Sequence, residues 1–204
     1  MGRSDVTAVT ITADTVALDA NGISTVAAVA DNAALVLNGA LASGGSVTLS
    51  HGRIVTILSS DDDSAISFTV VGTDVNGDAQ TESITGADTG TATGAAYFLT
   101  ISSITAVGDP AANVTAGVNA SAADVIFAGR ARLKGIYLTS TGTAGTTNFL
   151  NSSPVGTSVM KLSSVASATA TRDVVIPEDG VLFTDGIYIQ YTVSTFLTMT
   201  VFHA

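Results

Sequence analysis

Apolar and polar residues alternate along much of this chain with a period of two, the spacing of strands that bury one face. Ile66, Phe68 and Val70 alternate with Ser67 and Thr69. Near the C-terminus Ile187, Ile189, Tyr191 and Val193 alternate with Tyr188, Gln190 and Thr192, and then Leu197, Met199 and Val201 with Thr198 and Thr200. These last two runs are predicted to be antiparallel neighbours. Asp74-Val75-Asn76-Gly77-Asp78 ends the first run with an Asn-Gly pair suited to a type I′ hairpin turn into Ala79 to Ile84. A second turn is predicted at Pro177-Glu178-Asp179-Gly180, where proline presets φ and glycine tolerates the far side. Ile23, Val26, Ala27, Ala30, Ala34 and Leu37 fall near a period of 3.6, but the Thr and Val around them favour a strand or an extended arm over a helix. The pattern predicts an all-β chain.

Composition sharpens this picture. The 204 residues can bury roughly 70% of the unfolded surface, so the chain can hold its own core. Charged residues make up only 12% and mean hydropathy is +0.48, the opposite of the disordered class. There is no cysteine, which removes disulfides, thiolate metal sites and cysteine nucleophiles. The charge is unevenly placed: residues 1–120 carry 12 acids and 2 bases, whereas residues 121–204 carry 5 of each and eight of the eleven aromatics. The step falls at Ala116-Gly117-Val118-Asn119-Ala120-Ser121-Ala122-Ala123, a small-residue run that reads as a linker. The expected organisation is an extended arm over 1–38, an acidic β domain over 39–120 and a β-sandwich or jelly-roll domain over 121–204.

A net charge of −10 and a pI near 4.2 argue against nucleic acid as a partner, which needs clustered Lys and Arg. The apolar stretch from Val26 to Leu37 is interrupted by Asp31 and Asn32 and is too short to span a bilayer as a helix, so no membrane partner is expected. The start, MGRSDVT, reads as neither an export signal nor a lipid anchor.

The chemistry-bearing residues are sparse. His51 and His203 lie far apart, and His203, next to the last residue, is expected to fray. No two glycines stand two apart, which removes the dinucleotide fingerprint, and neither Lys134 nor Lys161 follows P-loop spacing. No serine sits in a nucleophile-elbow motif. Asp61, Asp62, Asp63, Asp74, Asn76, Asp78 and Asp88 bring hard oxygen ligands together in loops, as calcium requires. Yet counted from Asp74, Gly77 stands at loop position four rather than six, and Thr85 occupies the place of the closing glutamate, so a solvated acidic loop is expected instead. No catalytic residue, metal site or cofactor follows. Arg130, Arg132 and Lys134 stand at alternate positions and would form a positive stripe on one strand face, either an interaction surface for an acidic partner or a charged edge strand.

Val55-Thr56-Ile57, then Asp62 to Val70 and Gly72-Thr73-Asp74-Val75-Asn76-Gly77-Asp78-Ala79-Gln80-Thr81-Glu82, resembles a segment of virion structural proteins of tailed bacteriophages, especially marine and cyanobacterial ones. Arg132 to Leu138, Ile176 to Phe183 and Gly186-Ile187-Tyr188 are similar to the closing β domain of such proteins. The resemblance implies a non-enzymatic capsid decoration or cement protein on the outer surface of the head. Its partners would be the major capsid protein and copies of itself, as a homo-oligomer such as a trimer. In such an assembly the aromatic-rich C-terminal domain would make the contact, since interface cores are aromatic and poor in charge. Two alternatives stay open: a tail, collar or fibre component, or a carbohydrate-binding β-sandwich. The last is weakened by the absence of Trp and by the single Tyr188 offered on one face of the terminal strand pair.

Overall fold

The computed structural model describes residues 5–166 and 169–204; residues 1–4, part of the stretch read above for targeting signals, lie outside the described residues. Among the described residues every regular element is a strand, and the all-β expectation holds. In chain order the strands are β1 (Thr7–Thr12), β2 (Asp19–Ala28), β3 (Ala42–Ser43), β4 (Ser46–Asp62), β5 (Ser67–Thr73), β6 (Ala79–Thr85), β7 (Asp88–Val107), β8 (Asn113–Phe127), β9 (Ala131–Ser140), β10 (Gly145–Asn151), β11 (Thr157–Ser164), β12 (Thr171–Val175), β13 (Val181–Phe183), β14 (Ile187–Thr192) and β15 (Phe196–His203). The chain divides into two compact units, residues 1–16 with 121–204, and residues 17–120.

In the unit of residues 17–120, β4 and β7 are long antiparallel partners, and β5 and β6 extend the sheet as a hairpin on β7. The first part of β8 lies between β4 and β2. Ile57, Phe68, Phe98, Ile101 and Ile104 are fully buried in one cluster. The segment with helical spacing is extended: Leu35 N–H donates to Ile104 O, and Ala106 N–H to Ala33 O, so residues 33–35 cover β7 beyond the reach of β4.

The other unit has a five-stranded sheet ordered β1-β15-β9-β12, with β13 also on β9, and a second sheet of β11, β10, β14 and the end of β8. The two sheets meet face to face as in a sandwich, with Tyr191 of β14 against Phe196 of β15 at 4.8 Å between ring centroids, and Phe127 of β8 against His203 of β15 at 5.0 Å.

Four expectations are corrected. The segment 1–38 is not an arm: β1 pairs with β15, and β2 pairs with β8, because their backbone groups find sheet partners. The two C-terminal runs are not neighbours. β14 bonds to β8 and β10 and β15 to β1 and β9, so they face each other across the core. The Asn-Gly turn is not type I′, since of that pair only Gly77 has a positive φ, at 87°. Gly77 N–H donates to Asp74 O and Asp74 N–H to Asp78 O, a type I turn closed by a left-handed glycine.

The two units divide at 120/121, inside the run 116–123 where a boundary was expected, but that run is continuous strand, the middle of β8, rather than a linker. Its residues are small because the strand is enclosed there: Ala116, Val118, Ala122 and Ala123 are fully buried, and at Gly117 the backbone of β2 comes so close that a Cβ would overlap the Asp19 carbonyl oxygen. Gly117→Ala is therefore expected to destabilise the chain by about 1–3 kcal/mol in urea unfolding. Unchanged stability would mean that this run is loose.

Candidate functional site

The basic residues of the predicted stripe gather at the start of β9. Arg130 is exposed in the bend before the strand, and Arg132 and Lys134 lie half-buried within it, on the face opposite buried Leu133. The strand is interior, flanked by β15 on one side and by β12 and β13 on the other, so the charges do not protect an edge. They brace a turn instead. Lys134 Nζ donates to Asp179 O at 2.9 Å and an Arg132 guanidinium nitrogen to Gly180 O at 3.3 Å. That turn closes with Gly180 N–H on Pro177 O, and Glu178 and Gly180 both take positive φ, at 56° and 78°. Proline thus opens the turn rather than occupying its second position.

The register slips at Lys134-Gly135, where Leu133 pairs with His203 and Gly135 with Phe202. This bulge reverses the phase of β9, and beyond it Tyr137 and Thr139 point outward while Ile136 and Leu138 stay buried. Pairing registers then align the outward residues in rows across the sheet. One row is Thr12, Thr198, Thr139 and Thr171; the next is Thr10, Thr200, Tyr137 and Asp173. Neighbours in a row stand about 4.8 Å apart. Within them Thr10 and Thr200 hydroxyls bond to each other at 2.9 Å. Tyr137 is 46% exposed. Sequence reasoning missed this face. The spacing Thr10-Ile11-Thr12 and Thr198-Met199-Thr200 was its only trace, because alternation does not say which strands stand side by side.

The aromatic residues expected at a contact surface mostly build the core: Phe149, Phe183, Tyr188, Tyr191 and Phe196 are all buried. Tyr188, the residue weighed for sugar stacking, is therefore inaccessible, and Tyr137 is the exposed tyrosine of this unit. Tyr191 anchors three segments, accepting Asp14 N–H at 3.2 Å and donating to Asp124 Oδ2 at 3.2 Å. Burial first, then the Asp124 carboxylate, pushes its hydroxyl well above the ordinary tyrosine range.

The acidic loop residues satisfy the chain's own amides. Asp74 Oδ1 accepts Asn76 N–H at 2.8 Å and Asp78 N–H at 3.0 Å. Asp62 Oδ1 accepts the Ser64 hydroxyl at 2.6 Å and the Ser64 N–H at 3.0 Å, which lowers its pKa. Fully buried Asp63 takes Ala111 N–H at 2.8 Å. Among the described residues no three acids or histidines converge as a metal site. Arg53, in β4, is buried and donates to Asn119 O; a lone arginine between His51-Gly52 and Ile54-Val55 gave no sequence signal of that placement.

His51 and His203 fall in different units. His203 does not fray: it is 5% exposed, and residue 204 beyond it exchanges backbone hydrogen bonds with Arg132 at 2.7 and 3.0 Å. No family model matches the chain, and no curated protein or solved structure is detectably similar to it.

Two predictions follow from these placements. Asp74→Ala should cost about 1–2 kcal/mol, because two amides lose their acceptor, while added calcium leaves the wild-type melting temperature unchanged. Burial lowers the His203 pKa, so between the ordinary value of 6.5 and its folded value the unfolded chain binds more protons. Melting temperature should thus fall as pH drops below 6.5, and His203→Asn should flatten that part of the profile, which scanning calorimetry can follow.

Proposed function

We propose that this chain is a non-enzymatic structural protein of a tailed-bacteriophage virion, a decoration or cement protein on the outer surface of the head. The observation that supports it most directly concerns the segments carrying the family resemblance. Their polar residues act within the fold: Asp62 and Asp74 cap loops, Gly77 closes the β5–β6 hairpin, and Arg132 and Lys134 brace the turn at 177–180. Such segments specify a scaffold, and scaffold is what a particle component contributes.

The contact with the major capsid protein is assigned to the outer face of the five-stranded sheet, with Arg130 and Tyr137 exposed on its unit. Residues 17–120 hold 10 acids against a single Arg and are assigned to solvent or to basic surfaces of neighbouring copies. Binding only to the assembled lattice would stabilise that state by mass action, and many modest contacts would add through multivalency.

One observation favours a second reading, a carbohydrate-binding module. Exposed Tyr137 lies between Thr200 and Asp173 in its row, with the threonine row of Thr198, Thr139 and Thr171 on one side, an outer sheet face on which a sugar ring could stack. Glycan-array binding that Tyr137→Ala removes would favour it.

The deciding measurement is copy number against the major capsid protein, by quantitative mass spectrometry of purified particles. A number comparable to the capsid protein is expected. A few copies per particle would indicate a tail, collar or fibre component, and absence would overturn the virion reading.

A further inference from the structure

The outer edge of β1 differs from the other sheet edges among the described residues. β12 carries Arg172 and Asp173, with Pro177 two residues beyond its end. β11 contains Lys161 and is bulged against β10. Glu82 of β6 turns back onto the amides of Ala95 and Ala96. β2 is covered by residues 38–41, through Asn38 on Thr25 N–H and the amides of Gly39 and Leu41. β3 and β13 have only two and three residues. Charge, bulges, coverage and shortness are the usual protections against strand pairing. β1 has none of them: Thr7-Ala8-Val9-Thr10-Ile11-Thr12 is uncharged, proline-free and in one uninterrupted register with β15.

The direction of its backbone groups can be read from its end. Ala13 N–H donates to Leu197 O at 3.1 Å, so odd-numbered residues of the strand face β15. N–H and C=O of a residue point to the same side in an antiparallel pair, and successive residues alternate. Ala8, Thr10 and Thr12 therefore aim their N–H and C=O groups away from β15, and all three are exposed. The short contact between the Thr10 and Thr200 hydroxyls fits the same phase, since side chains lie closest in non-hydrogen-bonded pairs.

We propose that this edge is an assembly surface whose occupant is β1 of a second copy, paired antiparallel about a two-fold axis through Thr10. In that register Thr10 faces Thr10 of the partner subunit, and Ala8 faces Thr12 of the partner subunit. The three pairs of outward residues exchange two bonds each, so all six groups of each edge are satisfied. Sliding the strands by two residues leaves only two such pairs. The register also keeps the faces in phase: Val9 and Ile11, on the inward side, come beside Ile11 and Val9 of the partner subunit. Charge agrees with it. In a chain of net −10, Asp14 falls opposite Val6 of the partner subunit and Asp5 opposite Thr15 of the partner subunit, so no carboxylates are opposed. The contact is isologous and closes on itself, consuming the edge rather than propagating it. It stands whether or not the chain belongs to a virion.

The absence of cysteine makes the test clean. Facing Cα atoms of a hydrogen-bonded pair lie about 5.5 Å apart, within disulfide range. Full-length Thr10→Cys should become a covalent dimer under mild oxidation, whereas Thr171→Cys, on the opposite edge of the sheet, should remain uncrosslinked. In sedimentation velocity the unmodified chain should run at twice its 20.3 kDa, and Thr10→Pro, which deletes an outward-facing N–H and the hydroxyl bonded to Thr200 but no backbone bond to β15, should halve that mass with the β circular dichroism retained. A monomeric or trimeric wild-type chain, equal crosslinking at both positions, or a folded Thr10→Pro that still dimerises would overturn the proposal. Should Thr10→Pro fail to fold, the crosslinking comparison decides alone.

Discussion

Close backbone approach along β8 is the constraint on which both units rest. Its first half packs against β2 so tightly that Gly117 has no room for a side chain, and its second half, with Ala122 and Ala123 fully buried, carries β14. Glycine is chosen at 117 against its poor strand propensity because a Cβ there would overlap the Asp19 carbonyl oxygen, and the alanines at 116, 122 and 123 fill fully buried positions. With no disulfide anywhere in the chain, order comes from strand pairing and from the apolar side chains that β8 brings together.

Many of the charged and amide side chains serve the backbone. Asp62, Asp63, Asp74 and Glu82 accept main-chain N–H groups, Asn38 accepts from Thr25, and Arg132 and Lys134 donate to turn carbonyls. A β chain needs such caps wherever a strand bulges or turns, since a buried, unpaired amide or carbonyl costs about 1–3 kcal/mol. Among the surfaces outside these contacts are the outer sheet face that carries Tyr137 with the threonine row beside it, and the uncharged edge of β1.

Much of the strand content was legible in the chain, because burial of one face leaves a period of two in side chains. The runs at 66–70, 187–193 and 197–201 fall on β5, β14 and β15, with Ile66 and Val193 just outside, and Gly77 marks a real turn. Small size misled at 116–123, since a linker and a closely packed strand both favour Ala and Gly. The aromatic excess after residue 120 misled in a similar way, as a residue that suits an interface suits a core equally well.

Which strands became neighbours was decided only in three dimensions. Alternation assigns each side chain to a face, but the backbone donors and acceptors that join strands are the same at every residue and carry no label of their partner. Hence the all-β class and the acidic balance could be read from residues alone. The split of residues 5–38 between two sheets, the interior position of β9, the threonine rows and the open edge of β1 could not. They depend on register, which emerges when all the strands compete for the same hydrogen bonds and the same buried volume.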